Sequence, residues 1–288
     1  MIHVYKMGMS YYANSVDKNS GMTEVKIITN ELNKIKIDKK VLVIINGIRD
    51  EVDNKLLQII KEYDFSIFIM SDSIALETSL DIMNACDYVL HQAPYHTFEE
   101  IHSPQTYSYV PELFYKYCKK LRLEGKIDAI KSYYPGLIYF GGNNKKRDDK
   151  FRAYKVNESP NMFSRYKLYE TGKDTRIGHL DYLNELSRFS YSLVICREDY
   201  RKIGWITSRY FEAIALDNVP FIDYEYDIFN FVVGENSILR VNGYKSLMSA
   251  KECLSKDTLL KLHIMRELKL NADKNLEKFK ELIEEIIK

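Results

Sequence analysis

Residues 208–223 of the chain read Ser-Arg-Tyr-Phe-Glu-Ala-Ile-Ala-Leu-Asp-Asn-Val-Pro-Phe-Ile-Asp, which predicts a helix, a short turn and an apolar strand. Arg209 and Glu212 stand three residues apart, so both lie on one face of this helix, near the end that would point at a ligand. A guanidinium there can neutralise a diphosphate, and a carboxylate one turn later can accept both hydroxyls of a ribose. The same spacing also fits an ordinary surface ion pair, so the pair alone leaves both interpretations open.

Strands and helices alternate on both sides of this stretch. The first half predicts strands at 2–7, 41–46, 65–70 and 88–91, with helices at 24–34, 52–63 and 79–86. The second half predicts strands at 137–140, 163–169, 193–196 and 220–222, with helices at 181–187, 207–217, 257–271 and 272–288. Continuous apolar strands alternating with helices are typical of parallel sheets in α/β proteins.

The dipeptide Pro135-Gly136 is read as the boundary between two such series. A chain of 288 residues exceeds one typical core, which also favours two domains. We therefore predict two Rossmann-like, doubly wound domains that face a central cleft, residues 1–134 and 135–288, with the C-terminal helices packing back toward the first. Ligands of such sheets bind outside the carboxyl ends of the strands.

Composition narrows the location and the partners. No apolar run is long enough to span a bilayer, and the first residues lack the form of a signal peptide. The four cysteines are scattered without a C-x-x-C pair, which argues against a zinc site and a disulfide framework. We expect a cytoplasmic monomer without a membrane partner. Because the net charge is only +1, a nucleic-acid partner would need a local basic patch.

The segment Gly-Gly-Asn-Asn-Lys-Lys-Arg at 141–147 directly follows a predicted strand. Gly141 and Gly142 let backbone N–H groups approach an anion, and Lys145 and Arg147 add positive charge to the same turn. The segment is neither a P-loop nor a G-x-G-x-x-G motif, and alone it would read as a solvated turn. Together with Arg209 it favours a diphosphate site.

Two carboxylates are candidates for the chemistry of the first half. Asp72 ends an apolar strand, where a carboxylate could take a proton from an acceptor hydroxyl that attacks a sugar C1. A helix N-cap is the simpler alternative for Asp72, and Glu24 could be a first-turn carboxylate stabilised by the helix dipole. His91, His96 and His102 fit no zinc spacing, so no metal site is predicted from them.

Three segments carry motifs that occur together in one enzyme family. The strongest runs from 191 to 227 and holds Tyr200, the Ile-Thr-x-Arg-x-x-Glu helix start at 206–212 and the Ile-Asp-x-Glu-x-Asp ending at 222–227. The second is Ile-Tyr-Phe-Gly-Gly at 138–142 with Lys145 and the Arg-Asp-x-Lys run at 147–150, and the third is the pair of strands that leads to Asp72. With these segments in order along most of its length, the chain resembles the T-even bacteriophage DNA β-glucosyltransferase family.

The resemblance implies a GT-B fold and an inverting transfer of glucose from UDP-glucose to 5-hydroxymethylcytosine in duplex DNA, in an infected bacterial host. The target base would leave the stack to reach the site. Asp72 would be the general base and Glu24 would hold the acceptor or the sugar. The donor would be bound by Gly141, Gly142, Lys145, Arg147, Tyr200, Arg209 and Glu212. Since the donor half has no Asp-x-Asp pair, Mg²⁺ or Mn²⁺ would act at the diphosphate itself.

Departures from the family keep alternatives open. Lys145 stands where the family has arginine, and it loses bidentate geometry while keeping the charge. The glycine loop is shorter than in the family and the loop from Gly8 to Glu24 is longer, both where acceptor and sugar are read, so hydroxymethyluracil, or a sugar other than glucose, stays possible. A GT-B enzyme with a non-DNA acceptor, such as a glycan, small molecule or protein, and a non-catalytic binding module are the remaining alternatives. A basic DNA-binding patch could come from Lys145, Lys146, Arg147, Lys150, Arg152, Arg197, Arg201 and Lys202, or these could be solvated faces.

Overall fold

The computed structural model places most of the chain in two compact units. It describes residues 2–6, 34, 39–45, 54–70, 76, 79–94, 96–102, 105–108, 112–127, 134–139, 148–156, 163–165, 179–195, 197–226, 233–234 and 236–287. One unit combines Met1–Val110 with Leu276–Lys288, and the other is Pro111–Asn275. Relative to the predicted domains, residues 111–134 fall in the second unit and 276–288 in the first.

The first unit is built on a five-stranded parallel sheet. Its strands are β1 (Ile2–Lys6), β2 (Val41–Ile45), β3 (Phe65–Ile69), β4 (Tyr88–His91) and β5 (Gln105–Ser108), and they lie side by side in chain order. Helices α1 (Asn54–Ile60) and α2 (Leu80–Ala85) connect them. Every residue of β2 and β3 is buried, as expected for parallel strands covered on both faces. The strands predicted at 41–46, 65–70 and 88–91 are therefore confirmed.

The second unit has its own parallel sheet of five strands. They are β6 (Tyr134–Tyr139), β7 (Phe163–Arg165), β8 (Phe189–Val194), β9 (Val219–Asp223) and β10 (Arg240–Val241), in the spatial order β10-β9-β8-β6-β7. The order reverses between β6 and β8, which makes their carboxyl ends the topological switch point where doubly wound sheets bind ligands. Two parallel sheets confirm the predicted α/β class.

The second unit also contains most of the described helices. They are α3 (Glu112–Leu123), α4 (Asp148–Ala153), α5 (His179–Ser187), α6 (Glu198–Ile203), α7 (Ser208–Ala215) and α8 (Tyr244–Lys256), followed by α9 (Thr258–Ile287), whose end belongs to the first unit. The helix and strand predicted over 208–223 are confirmed as α7 and β9, while α3, α4, α6 and α8 were not predicted. None of the described helices is long and apolar enough to cross a membrane.

Two predictions about chain breaks are wrong. The helices predicted at 257–271 and 272–288 are one helix, α9, because Ala272 continues the buried face of Met265, Leu268 and Leu276 and no glycine or proline interrupts it. Pro135 and Gly136 lie inside β6, where the pairing register with β8 shifts between Tyr134 and Leu137. Such an irregularity is where a sheet tolerates a proline, which has no N–H for the ladder.

Candidate functional site

The topology of the second sheet shows how the strands before the predicted donor residues are arranged. β6 ends at Tyr139, directly before the glycine-rich segment, and β8 beside it ends at Val194 and leads into α6 and α7. The strands that precede the glycine-rich segment and Tyr200 in the chain therefore lie side by side at the switch point. Gly141, Gly142, Lys145 and Arg147 themselves lie outside the described residues, as do Asp72 and Glu24. Their roles remain predictions.

The strand that leads toward Asp72 is well defined. Met70 is fully buried, and its backbone N–H donates to the carbonyl oxygen of Leu90 at 2.8 Å, which fixes the end of β3 beside β4. His91 ends β4 and is buried, and its Nδ1 accepts the backbone N–H of Ala93 at 3.3 Å. Burial, with a smaller effect of the His96 charge, lowers the pKa of His91 to about 4. His91 is therefore neutral at pH 7.

Tyr200 lies in a fixed aromatic environment just after β8. Its ring stacks on Trp205 with centroids 5.8 Å apart, and the Arg197 guanidinium lies 4.2 Å from the Tyr200 ring centroid. Asp199 holds that guanidinium through two contacts, at 2.8 and 3.1 Å. Gly204 ends α6 with φ +65°, a conformation that favours glycine and lets the chain turn toward α7. Tyr200 is thus a buried, well-packed residue of α6, the helix that follows β8, and its role at the donor stays a prediction.

The start of α7 is anchored to the end of β9. The backbone N–H of Thr207, the N-cap residue, donates to the Tyr226 hydroxyl at 2.7 Å, and Tyr226 is fully buried. Arg209 is partly exposed at the second position of α7, whereas Glu212, one turn later, is only 3% exposed. Because a surface ion pair requires both partners at the surface, that alternative for Arg209 and Glu212 is wrong.

Glu212 lies among neutral groups from two other helices. The Tyr182 hydroxyl on α5 donates to Glu212 Oε2 at 2.9 Å. Burial, and then the Glu212 charge, hold the pKa of Tyr182 well above its usual value, and the Arg209 charge partly opposes this. Burial and the Glu212 charge likewise raise the pKa of the Cys118 thiol on α3. Both groups therefore stay protonated beside the carboxylate.

A buried polar network lies at the carboxyl end of β9. Lys150 Nζ lies 3.0 Å from Asp223 Oδ1 and 2.8 Å from Glu225 Oε2. The Tyr154 hydroxyl donates to Asp223 Oδ2 at 2.5 Å, and Arg201 Nε lies 3.2 Å from Glu225 Oε2. The network therefore joins α4 and α6, the helices on either side of the switch point, to the end of β9.

The charges of this network balance one another. Burial raises the pKa of Asp223 above its usual value, although Tyr154 and Lys150 pull it down. Burial would lower the pKa of Lys150, but Glu225 and Asp223 more than offset this and hold it above its usual value. Lys150 is thus an ion-paired ammonium at neutral pH, and its side chain is only 8% exposed.

The predicted basic patch is largely engaged within the chain. Lys150 pairs with Asp223 and Glu225, and the other pairs are Arg197–Asp199, Arg201–Asp149 and Lys202–Glu198. Arg152 is exposed, and residues 145–147 lie outside the described part. The prediction that Lys150 contributes to a DNA-binding face is therefore wrong.

Potential metal ligands are not clustered in the part of the chain that the structure describes. No group of three histidine, cysteine, aspartate or glutamate side chains there is arranged to hold an ion. Asp223, the last residue of β9, and Glu225, just after it, form ion pairs with Lys150 and Arg201.

Sequence reasoning missed Tyr182, Tyr226 and the partners of Lys150. Tyr182 reaches Glu212 from another helix, and no local spacing connects two residues so far apart in the chain. Lys150 reads as part of a basic run, and only the fold brings it to Asp223. The Asp-x-Glu pattern at 223–225 was the one available signal, since a strand that ends in two carboxylates needs cations nearby.

Comparison with known structures finds similar folds over the whole length of the chain. T4 phage β-glucosyltransferase in complex with UDP and Mn²⁺ is 16% identical, with a TM-score of 0.51 over 98% of this chain and 99% of that one. A crystal structure of the DNA-modifying enzyme β-glucosyltransferase, studied with and without UDP-glucose, is 16% identical, with a TM-score of 0.56 over 99% of both chains. The T4 enzyme bound to UDP-glucose is 17% identical, with a TM-score of 0.53 over 99% of both chains.

The sequence itself gives no such match. No family model matches it, and neither does any curated protein. At these identities the structural likeness shows the fold, so the predicted GT-B fold is confirmed.

Proposed function

We propose that this protein is an inverting glycosyltransferase that moves a sugar, with glucose as the first candidate, from a UDP-sugar to a hydroxymethylated pyrimidine in duplex DNA. The acceptor would be 5-hydroxymethylcytosine or 5-hydroxymethyluracil, in the cytoplasm of an infected bacterium, and the enzyme a monomer. The observation that supports this most is the fold match over 99% of both chains to an enzyme described as DNA-modifying and studied with UDP-glucose.

The second unit supplies the proposed donor site. Arg209 is partly exposed at the N-terminal end of α7, where the helix dipole also favours an anion, so we assign it to the diphosphate. Glu212 lies one turn further in and is assigned to the ribose hydroxyls. Tyr200 is assigned to the wall of the pocket. Residues 135–288, with Gly141, Gly142, Lys145 and Arg147 around the phosphates, would form the donor domain.

The chemical step needs one base and a stabilised leaving group. Asp72, in the acceptor domain 1–134, takes the proton of the hydroxymethyl group as its oxygen forms a bond to the sugar C1. The bond between C1 and the diphosphate oxygen breaks on the opposite side, so the anomeric carbon inverts. UDP leaves with the electron pair, and Arg209 stabilises the negative charge. Glu24 holds the acceptor or the sugar, and the base is flipped out of the duplex.

We route no step through a metal ion. The described residues do not form a carboxylate site for one, because Asp223 and Glu225 are ion-paired. The diphosphate oxygens would be the ligands of any Mg²⁺ or Mn²⁺ that accompanies the donor.

The ion-paired cations favour a second candidate, a GT-B glycosyltransferase with a non-DNA acceptor. Lys150, Arg197, Arg201 and Lys202 all face carboxylates, and the net charge is +1, so these four cations offer DNA little attraction. Gel-shift titration of a hydroxymethylated duplex separates the two candidates. A DNA enzyme should bind it with an affinity that falls steeply with salt, and a salt-independent failure to bind would favour the other acceptor class.

Turnover tests the assignment of the base. The wild type should release UDP from UDP-glucose on a hydroxymethylated duplex and not on an unmodified one. Asp72→Asn should abolish release while UDP still binds, because the amide cannot take the proton. Asp81→Asn is the matched control, since Asp81 is exposed in the first turn of α2. Near-normal turnover of Asp72→Asn would show that Asp72 is not the base, and binding of UDP without release on any acceptor would favour a non-catalytic module.

A further inference from the structure

The contact between Tyr182 and Glu212 joins two helices beside the proposed donor site. Tyr182 lies on α5, which leads into β8, and Glu212 lies on α7, which leads into β9. The hydroxyl donates to Glu212 Oε2 at 2.9 Å, and the Glu212 residue is 3% exposed. A buried carboxylate with one oxygen bound by a neighbouring helix is restrained in its orientation, because rotation of the group would break a bond that little water is present to replace.

The electrostatics keep this contact in one form. The pKa of Tyr182 lies well above its usual value because the group is buried and faces the Glu212 carboxylate, so the hydroxyl remains a donor at neutral pH. The Cys118 thiol, whose pKa is raised by burial and by Glu212, also remains neutral. The Arg209 charge acts on the same hydroxyl and opposes the rise of the Tyr182 pKa. Arg209, which is assigned to the diphosphate, therefore interacts electrostatically with the Tyr182 hydroxyl.

We infer that Tyr182 is a positioning residue that orients Glu212 toward the ribose and thereby sets the preference for ribonucleotides over deoxyribonucleotides. The inference rests on the proposed function, in which Glu212 accepts the ribose hydroxyls. Two adjacent hydroxyls can share one carboxylate only if its oxygens point in a fixed direction. Anchoring Oε2 through Tyr182 fixes that direction, so loss of the anchor should weaken the contact with the diol more than any other donor contact.

Tyr182→Phe tests this directly, because phenylalanine keeps the ring and removes only the hydroxyl. Calorimetric titration would give the Kd of UDP and of 2′-deoxyuridine diphosphate for each protein. We expect Tyr182→Phe to weaken UDP binding about tenfold and to change 2′-deoxyuridine diphosphate binding much less. The ratio of the Kd for 2′-deoxyuridine diphosphate to the Kd for UDP should therefore shrink. A purely structural role would weaken both nucleotides equally or neither, and the unchanged ratio would overturn the inference.

Tyr191→Phe is the matched control. Tyr191 is a buried tyrosine of the second unit whose hydroxyl contacts Ser255 on α8 at 3.1 Å, away from Glu212. Its removal should leave the ratio of the two Kd values unchanged. Glu212→Gln should shrink the ratio as Tyr182→Phe does, and the double variant should lose little more than either single one, because both act on one contact.

The same titrations separate failure of the inference from failure of the proposed function. If the folded wild type binds neither nucleotide, the assignment of a uridine diphosphate site is wrong. If the wild type binds UDP in preference to 2′-deoxyuridine diphosphate and Tyr182→Phe keeps the full preference, the donor site stands and the role of Tyr182 is wrong. Circular dichroism of each variant shows that a lost preference comes from a folded protein.

Discussion

Replacing Lys150 with methionine should destabilise the second unit strongly. The change removes the ammonium that neutralises Asp223 while keeping a long apolar side chain. The side chains of Lys150 and Asp223 are 8% and 2% exposed, so the orphaned carboxylate cannot recover full hydration. Breaking a buried pair by removing one partner costs about 3–5 kcal/mol. Because the Tyr154 hydroxyl and the Glu225 backbone N–H still donate to Asp223, we expect the lower end, about 3 kcal/mol.

The single tryptophan makes this measurable. Trp205 is 1% exposed in the second unit, so its fluorescence reports the unfolding of that unit in urea. With a slope of about 2 kcal/mol per molar urea, the midpoint should fall by about 1.5 M. Lys202→Met is the matched control, since Lys202 and Glu198 pair at 2.9 Å with 71% and 56% exposure. An exposed pair of this kind is screened by water and contributes little to stability, so the midpoint should barely move.

The pH dependence of the Lys150→Met deficit provides the sharper test. Burial already raises the pKa of Asp223, and loss of Lys150 removes a group that pulls it down, so the pKa should rise further. A carboxyl with a higher pKa in the folded chain than in the unfolded chain favours the folded state when it takes up its proton. The deficit relative to the wild type should therefore be full at pH 7 and shrink as the pH falls through the Asp223 pKa of the variant. A deficit equal to that of Lys202→Met, or one that does not change between pH 7 and pH 5, would show that Lys150 does not neutralise a buried Asp223.

Two further predictions concern the same unit. Asn218 is fully buried, and its side-chain amide donates to the carbonyl oxygens of Phe189 at 2.9 Å and Leu186 at 3.4 Å. Asn218→Ala should therefore lower the free energy of unfolding by about 2 kcal/mol and the melting temperature by about 4–8 °C. An unchanged melting curve would contradict this. UDP should change the fluorescence of Trp205 in a saturable way, because Trp205 stacks on Tyr200, and Arg209→Ala should shift saturation to about tenfold higher UDP. If calorimetry shows UDP binding and the Trp205 fluorescence does not change, Tyr200 does not line the donor pocket.

Local sequence patterns predict the central buried strands of this fold. The continuous apolar runs at 41–46 and 65–70 correspond to β2 and β3, both fully buried, because a parallel strand covered on both faces has no polar face. The stretch from 208 to 223 contains a helix, a turn and a strand whose order is fixed by short-range spacing. The Pro135-Gly136 break was wrong because a strand can absorb a proline at a register shift, which depends on the neighbouring strand.

The polar contacts of the candidate site could not be predicted in this way. Lys150 meets Asp223, and Tyr182 meets Glu212, only after the sheet has brought separate helices to one edge. A charge run in sequence looks the same whether its members are solvated or ion-paired, so Lys150 was read as a surface cation. In α7 the one-turn spacing of Arg209 and Glu212 is visible in the sequence, whereas their different burial is visible only in the structure.

We propose that this chain transfers a hexose from a UDP-sugar to a hydroxymethylated base in DNA. The most direct measurement is mass spectrometry of duplexes that contain 5-hydroxymethylcytosine, 5-hydroxymethyluracil or neither, after incubation with a panel of UDP-sugars. We predict a mass gain of one hexose on one of the two modified bases, with no gain on the unmodified duplex. Unchanged masses of every duplex with every donor, from a protein shown to bind UDP, would contradict the DNA acceptor.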